Sequence, residues 1–251
     1  MQHQKPLFNY TAKEITDHAS NRYQLPYEKA AFAIKKSDNF KFIYPIENRD
    51  LKEFSGFKLH INLSKATDTA KAWDMIVPIL LKYSAILFQA KFVDNDTLRL
   101  EKVRLQRGKG QLFNPDKLAA INRFLTGAQI TIYIPKIKNM PEADIISAYK
   151  KMTKEINLAL KKNAGLAAAK TPNSDFPVTD CDFLSIRGDQ DSKGNHISAI
   201  SPNYNKYQKQ YTDSPYIRGL VDEKLLKTSD DEKSTPRTPS PSKGSDDEFS
   251  V

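Results

Sequence analysis

Phe57-Lys58-Leu59-His60-Ile61-Asn62-Leu63 alternates apolar and polar side chains without a break. Successive residues of a strand point to opposite faces, so this pattern predicts a strand with Phe57, Leu59, Ile61 and Leu63 in the core. Lys58, His60 and Asn62 then share the other face. Three more stretches follow the same rule. Ala128-Gln129-Ile130-Thr131-Ile132-Tyr133-Ile134 sends Gln129, Thr131 and Tyr133 to one side. Phe88-Gln89-Ala90-Lys91-Phe92 does so with Gln89 and Lys91, and Phe183-Leu184-Ser185-Ile186-Arg187 aligns Arg187 with Ser185 and Phe183. If these strands pair, their polar faces merge into one cationic floor. The plainer alternative is a sheet whose polar side faces water.

Between the strands the apolar period changes to that of a helix. Trp73, Ile76, Ile79, Leu80 and Tyr83 fall on one face of a helix over about 68–83. A second begins near Pro115, runs through Leu118, Ile121 and Leu125, and stops at Gly127. A third carries Ile145, Tyr149, Met152, Ile156 and Leu160 and ends near Gly165. The order is strand, helix, strand, helix, strand, helix, then a largely irregular end with one short strand. This predicts a single α+β domain, a mostly antiparallel sheet with helices packed on one face and a cationic active site on the other.

The 251 residues divide into an amino-terminal extension (1–25), a globular domain (26–227) and a Ser/Pro/acidic tail (228–251). The tail lacks apolar periodicity and is expected to be disordered; its Thr235-Pro236, Thr238-Pro239 and Ser240-Pro241 are sites that suit a proline-directed kinase. Its three basic and six acidic residues leave 36 basic and 24 acidic elsewhere, so the body carries +12. Such charge attracts polyanions, whether nucleic acid or phosphoprotein, and also serves solubility. With a single cysteine, Cys181, there is neither an internal disulfide nor a Cys-rich zinc site, and Cys181 reads as a packed side chain. No apolar run spans a bilayer and no cleaved signal peptide is visible. We expect no cofactor, no metal, no membrane contact and a monomer, and no nucleic-acid partner either, because aromatic stacking surfaces are not evident at the right positions.

At the same stretches the chain resembles the phosphothreonine lyases, type III effector enzymes that bacterial pathogens inject into host cells. The matching pieces are Lys58 to Asn62, Lys91 after an apolar strand, Arg123-Phe124-Leu125-Thr126-Gly127-Ala128-Gln129-Ile130-Thr131-Ile132-Tyr133-Ile134, and Phe183 to Arg187. Their order agrees too, and the resemblance spans roughly Ala30 to Arg187, as in a divergent member. It implies β-elimination of phosphate from phosphothreonine or phosphoserine in a host protein, such as a mitogen-activated protein kinase. It also implies secretion without a cleaved signal peptide, by a type III or another secretion system, and action in host cytoplasm or nucleus.

Carried over residue by residue, the resemblance makes Lys91 the general base and His60 the general acid. Lys58 supports the base and the developing enolate, Arg123 and Arg187 grip the phosphate, and Tyr133 holds or orients it. The chemistry is physically coherent. A lysine with a reference pKa of about 10.4 becomes a base at neutral pH only where burial and neighbouring cations depress it. The arginines offer planar forks suited to a phosphate monoester. Two departures stand out: Pro135 where a basic contact is expected, and the initially acidic Gly188-Asp189-Gln190-Asp191 in place of a further arginine. The resemblance thus does not carry the recognition of a second substrate phosphate onto this chain, nor an amino-terminal kinase-docking segment; Lys35-Lys36 with Phe40 and Phe42 looks built into the fold. Two other functions fit parts of the pattern: a catalytically idle phosphopeptide-binding module, and a two-histidine phosphodiesterase using His60 and His196-Ile197-Ser198.

Overall fold

The computed structural model describes residues 24–25, 32–37, 40–45, 49–107, 115–191, 193–199, 201 and 204–227. The tail and most of the amino-terminal extension lie outside the described residues. The strands are β1 (Gln24–Leu25), β2 (Phe32–Ser37), β3 (Phe40–Pro45), β4 (Lys52–Ile61), β5 (Gln89–Val93), β6 (Ile130–Ile137), β7 (Phe176–Pro177) and β8 (Leu184–Gly188). They form one sheet in the order β1-β2-β3-β5-β6-β4-β8-β7, with every pairing antiparallel. The sheet reaches back to Gln24–Leu25, two residues that the sequence assigns to the extension. Lys35 and Lys36 lie in β2, Phe40 and Phe42 in β3, so this stretch is a hairpin of the sheet.

The helices are α1 (Thr69–Lys82), α2 (Asn95–Arg107), α3 (Pro115–Thr126), α4 (Glu142–Lys161), α5 (Tyr204–Tyr211), α6 (Pro215–Leu220) and α7 (Glu223–Lys227). The periodic stretches of the sequence are α1, α3 and α4, each within a few residues of its expected bounds. The largely irregular end is a correction: three short helices occupy it. Their chain is too polar and too short for periodicity to show, and tertiary packing of Tyr204, Tyr211, Tyr216, Ile217 and Leu220 holds them.

One face of the sheet carries the core. Leu59, Ile61, Ala90, Ile130, Ile132, Leu184 and Ile186 meet Trp73, Ile76 and Leu80 of α1 and Ile145, Tyr149, Met152 and Ile156 of α4. Alternation also fixes the opposite face, provided the strand stays in register. Gly56, at φ +91, makes a bulge where the pairing with β6 shifts between Phe54 and Lys58. Few residues other than glycine adopt that φ, so Gly56 sets the parity that turns Lys58 and His60 away from the core. A smaller apolar cluster, Val93, Leu98, Leu105 and Ile121, ties α2 and α3 to the sheet.

Candidate active site

Register places the polar residues in rows across four strands. Lys91 of β5 faces Thr131 of β6, Thr131 faces His60 of β4, and His60 faces Ser185 of β8. The next row is Gln89, Tyr133, Lys58 and Arg187. Cross-strand partners lie side by side on one face, so two sequence-distant lysines, a histidine and an arginine converge without any loop. This floor is not a water-facing sheet surface. Lys58 is 8% exposed, His60 2%, Thr131 2% and Arg187 5%.

A cavity of about 160 Å³ opens over the floor, lined by Lys58, His60, Lys91, Thr131 and Arg187. Its wall comes from Ala120, Arg123 and Phe124 of α3, and from His196, Ser198 and Ala199. Five of the six sequence-assigned residues thus share one hollow. Tyr133 is placed differently: it is not among the lining residues. Its ring lies 4.8 Å from Lys58 Nζ and 5.7 Å from Lys91 Nζ, a cation–π platform for the amines. Lys91 Nζ also sits 3.9 Å from the Phe40 ring centroid and 5.9 Å from that of Phe124.

This apolar surround and the cations beside it tune Lys91. Burial, then the charge of Lys58, lower its pKa from 10.5 to about 7. Burial likewise lowers that of His60 to about 4, against the opposing charge of Asp175. His60 is therefore neutral at physiological pH in this setting.

Asp175 is the functional neighbour that sequence reasoning missed. Its Oδ2 lies 2.6 Å from His60 Nδ1 and accepts from the Ser185 hydroxyl at 2.8 Å. Its Oδ1 accepts from Arg123 Nη2 at 2.8 Å and from the Ser174 hydroxyl at 2.7 Å. Burial alone would raise its pKa, but His60, Arg123 and Arg187 outweigh burial and hold it well below the usual carboxylate range. An ionised Asp175 fixes a proton on Nδ1 of His60 and leaves Nε2 as the reactive nitrogen. The residue stands in Thr171-Pro172-Asn173-Ser174-Asp175, which has no strand or helix period. The weak clue is a lone carboxylate entering a short strand.

Nε of Arg123 and Nε of Arg187 are buried and have no hydrogen-bond partner among the described residues. Buried donors are rarely left unpaired, and a phosphate oxygen would satisfy them. Arg187 Nη2 and Lys58 Nζ both contact the carboxylate of Asp189. His196 is an exposed rim residue whose Nε2 lies 3.3 Å from Asp189 Oδ2. Cys181 is buried, with a thiol pushed up to about 11 mainly by burial. No group of three or more His, Cys, Asp or Glu with metal-binding geometry occurs among the described residues. Nor, among them, is any helix long and apolar enough to cross a membrane.

A family model described as OspF/SpvC matches residues 2–201. The chain belongs to the OspF/SpvC family. The match reaches further toward the amino terminus than the Ala30–Arg187 span visible in the motifs. A variant of the Salmonella plasmid virulence C protein (SpvC) superimposes with a TM-score of 0.60 at 15% identity, over 87% of this chain and 88% of that one. The type III effector/phosphothreonine lyase OspF from Shigella flexneri gives 0.52 at 17%, over 74% and 80%. The Chromobacterium violaceum VirA (SpvC) phosphothreonine lyase effector gives 0.53 at 16%, over 81% and 84%. At these identities the likeness is one of fold. Among curated proteins there is no match.

The OspF/SpvC fold explains Gly127-Ala128-Gln129, part of the Arg123–Ile134 stretch that carries the resemblance, in structural terms. Ala128, at φ +55, donates its N–H to Asn62 Oδ1 at 2.9 Å. The Gln129 amide clasps the backbone of Leu63, accepting from its N–H at 2.8 Å and donating to its carbonyl at 2.9 Å. Asn62 Nδ2 in turn donates to Ser185 Oγ, which holds Asp175. The motif positions the end of β4 and, through it, the site.

Proposed function

We propose that this member of the OspF/SpvC family is a carbon–oxygen lyase that removes phosphate from phosphothreonine or phosphoserine in another protein by β-elimination. The observation that carries this is Lys91, an amine with a pKa of about 7 in a cavity it shares with Lys58, Arg123 and Arg187. A module that only binds phosphate gains nothing from a neutral amine there.

In the proposed reaction the phosphate oxygens take the free Nε groups of Arg123 and Arg187. Lys91 removes the proton from Cα, and the electron pair becomes the Cα=Cβ double bond. The Cβ–O bond breaks, and its electrons leave on the phosphate oxygen. His60 Nε2 delivers a proton to that oxygen, while Lys58 offsets the charge growing on the carbonyl. Lys91 ends as an ammonium and His60 as a neutral imidazole; no water is consumed. His60 becomes an acid only with the substrate bound, because the arriving phosphate raises its proton affinity. Phosphothreonine also brings a proton of its own, with a second pKa near 6.

The substrate we propose is a phosphorylated host protein, with mitogen-activated protein kinases as the class, met by a monomeric enzyme after secretion into host cytoplasm or nucleus. The likeness to SpvC, a virulence protein, and to OspF, a type III effector, supports this setting. His196 and Ser198 line the same cavity as His60, which keeps the two-histidine phosphodiesterase as a rival for the test. A phosphothreonine peptide is incubated with the enzyme and weighed by mass spectrometry. Elimination yields a product one water lighter than the unphosphorylated peptide. The Lys91→Ala variant is expected to lose turnover by about 10²–10⁴-fold while still binding the peptide. Release of the unphosphorylated peptide, or cleavage of a phosphodiester instead, overturns the proposal.

A further inference from the structure

The cavity holds two lysines, and elimination needs them in opposite states. Both are drawn from the same face of the sheet and both lose solvation. Nothing about residue type distinguishes Lys58 from Lys91, yet a single carboxylate breaks the symmetry. Asp189, 1% exposed, lies just past β8 and meets Lys58 Nζ and Arg187 Nη2 directly. Its backbone is fixed as firmly: the N–H donates to the Gly56 carbonyl at 2.7 Å, and its carbonyl accepts from Ile197 N. The β4 bulge thus anchors the residue that grips the lysine two positions further along β4.

We propose that Asp189 decides which cavity lysine carries the proton: it pins Lys58 as the ammonium and leaves Lys91 as the neutral amine. This rests on Lys91 being the base. Among the described residues, the groups facing Lys58 include Asp189, Arg187, Arg123 and the Tyr133 and Phe54 rings; those acting on Lys91 include Lys58, Asp189, Arg187 and Arg123, with Tyr133, Phe40 and Phe124 around it. His196 Nε2 lies 3.3 Å from Asp189 Oδ2, the oxygen that Lys58 also meets. Burial lowers the pKa of both amines, and Asp189 counters it on Lys58 through an ion pair as well as a hydrogen bond. On Lys91 its influence is electrostatic, and the charge it preserves on Lys58 is the largest effect after burial in depressing Lys91. Asp189 is therefore a positioning residue that acts through Lys58.

The test follows the Cε resonances of Lys58 and Lys91 against pH in ¹³C-lysine-labelled full-length protein. In the wild type Lys91 is expected to deprotonate near pH 7 while Lys58 stays charged to a higher pH. In Asp189→Asn the two curves are expected to become biphasic and to overlap, because the amines then share the first proton lost. Wild-type Lys58 releasing its proton with or before Lys91 overturns the proposal, and that outcome needs no variant. So does an Asp189→Asn protein that remains folded by circular dichroism with both curves unchanged. Turnover of the phosphothreonine peptide is scored separately: the expected titration without elimination would sink the proposed function and leave this proton partition standing.

Discussion

His60 shows how much of the site depends on a residue that never reaches the cavity. Its ring is almost fully buried, so its proton affinity is set by burial against the charge of Asp175. Asp175 contributes the counter-charge for an imidazolium and the acceptor that keeps Nδ1 protonated. Replacing it by Asn retains size and removes both. We expect Asp175→Asn to lower kcat by about 10²-fold or more with KM for a phosphothreonine peptide little changed. Nitrogen NMR of His60 should show a mixture of tautomers instead of one. Unchanged kcat with a single tautomer would remove Asp175 from the mechanism. This residue was not legible in the sequence, and the reason is physical. It lies 115 positions from His60 in an aperiodic stretch, and only folding brings the two together. Strand parity alone puts His60 beside Lys58, and the family resemblance supplied its expected role as the acid.

At the scale of elements, the site is an outcome of register, and register is held by side chain–backbone bonds as much as by the ladder. The Gln129 amide bonds both backbone groups of Leu63 just past the end of β4. Truncating it leaves a buried N–H and a buried carbonyl without partners. Unpaired groups of this kind cost roughly 1–3 kcal/mol each, so Gln129→Ala should lose about 2–6 kcal/mol in urea unfolding. A loss below about 1 kcal/mol would mean that the β4–β6 ladder needs no clasp. Strands β4, β5, β6 and β8 were readable because each alternates strictly or nearly so. The β2–β3 hairpin was not, since Lys35-Lys36 and Phe40 to Phe42 give no clear period against the neighbouring turns. Helix α2 was missed for a related reason: Arg99, Leu100, Lys102, Val103 and Arg104 mix charge and apolar character on its outer side, and Leu100 is 62% exposed.

For the whole molecule, the two faces of the sheet act against each other. One buries the apolar core that stabilises the fold, while the other buries cations that destabilise it until an anion arrives. Lys91 makes this measurable. Its pKa is about 7 folded against an ordinary 10.5, so between those values the unfolded chain holds a proton that the folded chain has lost. Stability therefore rises with pH across that window, and below pH 7 the full penalty remains. Lys58 acts in the same direction, which is why the comparison must isolate Lys91. Lys91→Met keeps an unbranched side chain and abolishes the titration. It is expected to be more stable than the wild type at pH 7, with a gap that closes toward pH 9 by at most about 1.4 kcal/mol per pH unit. Denaturant unfolding at pH 7, 8 and 9 on both proteins reads that gap. A gap that is constant with pH would mean that Lys91 keeps its proton in the folded state, and elimination would then need another base.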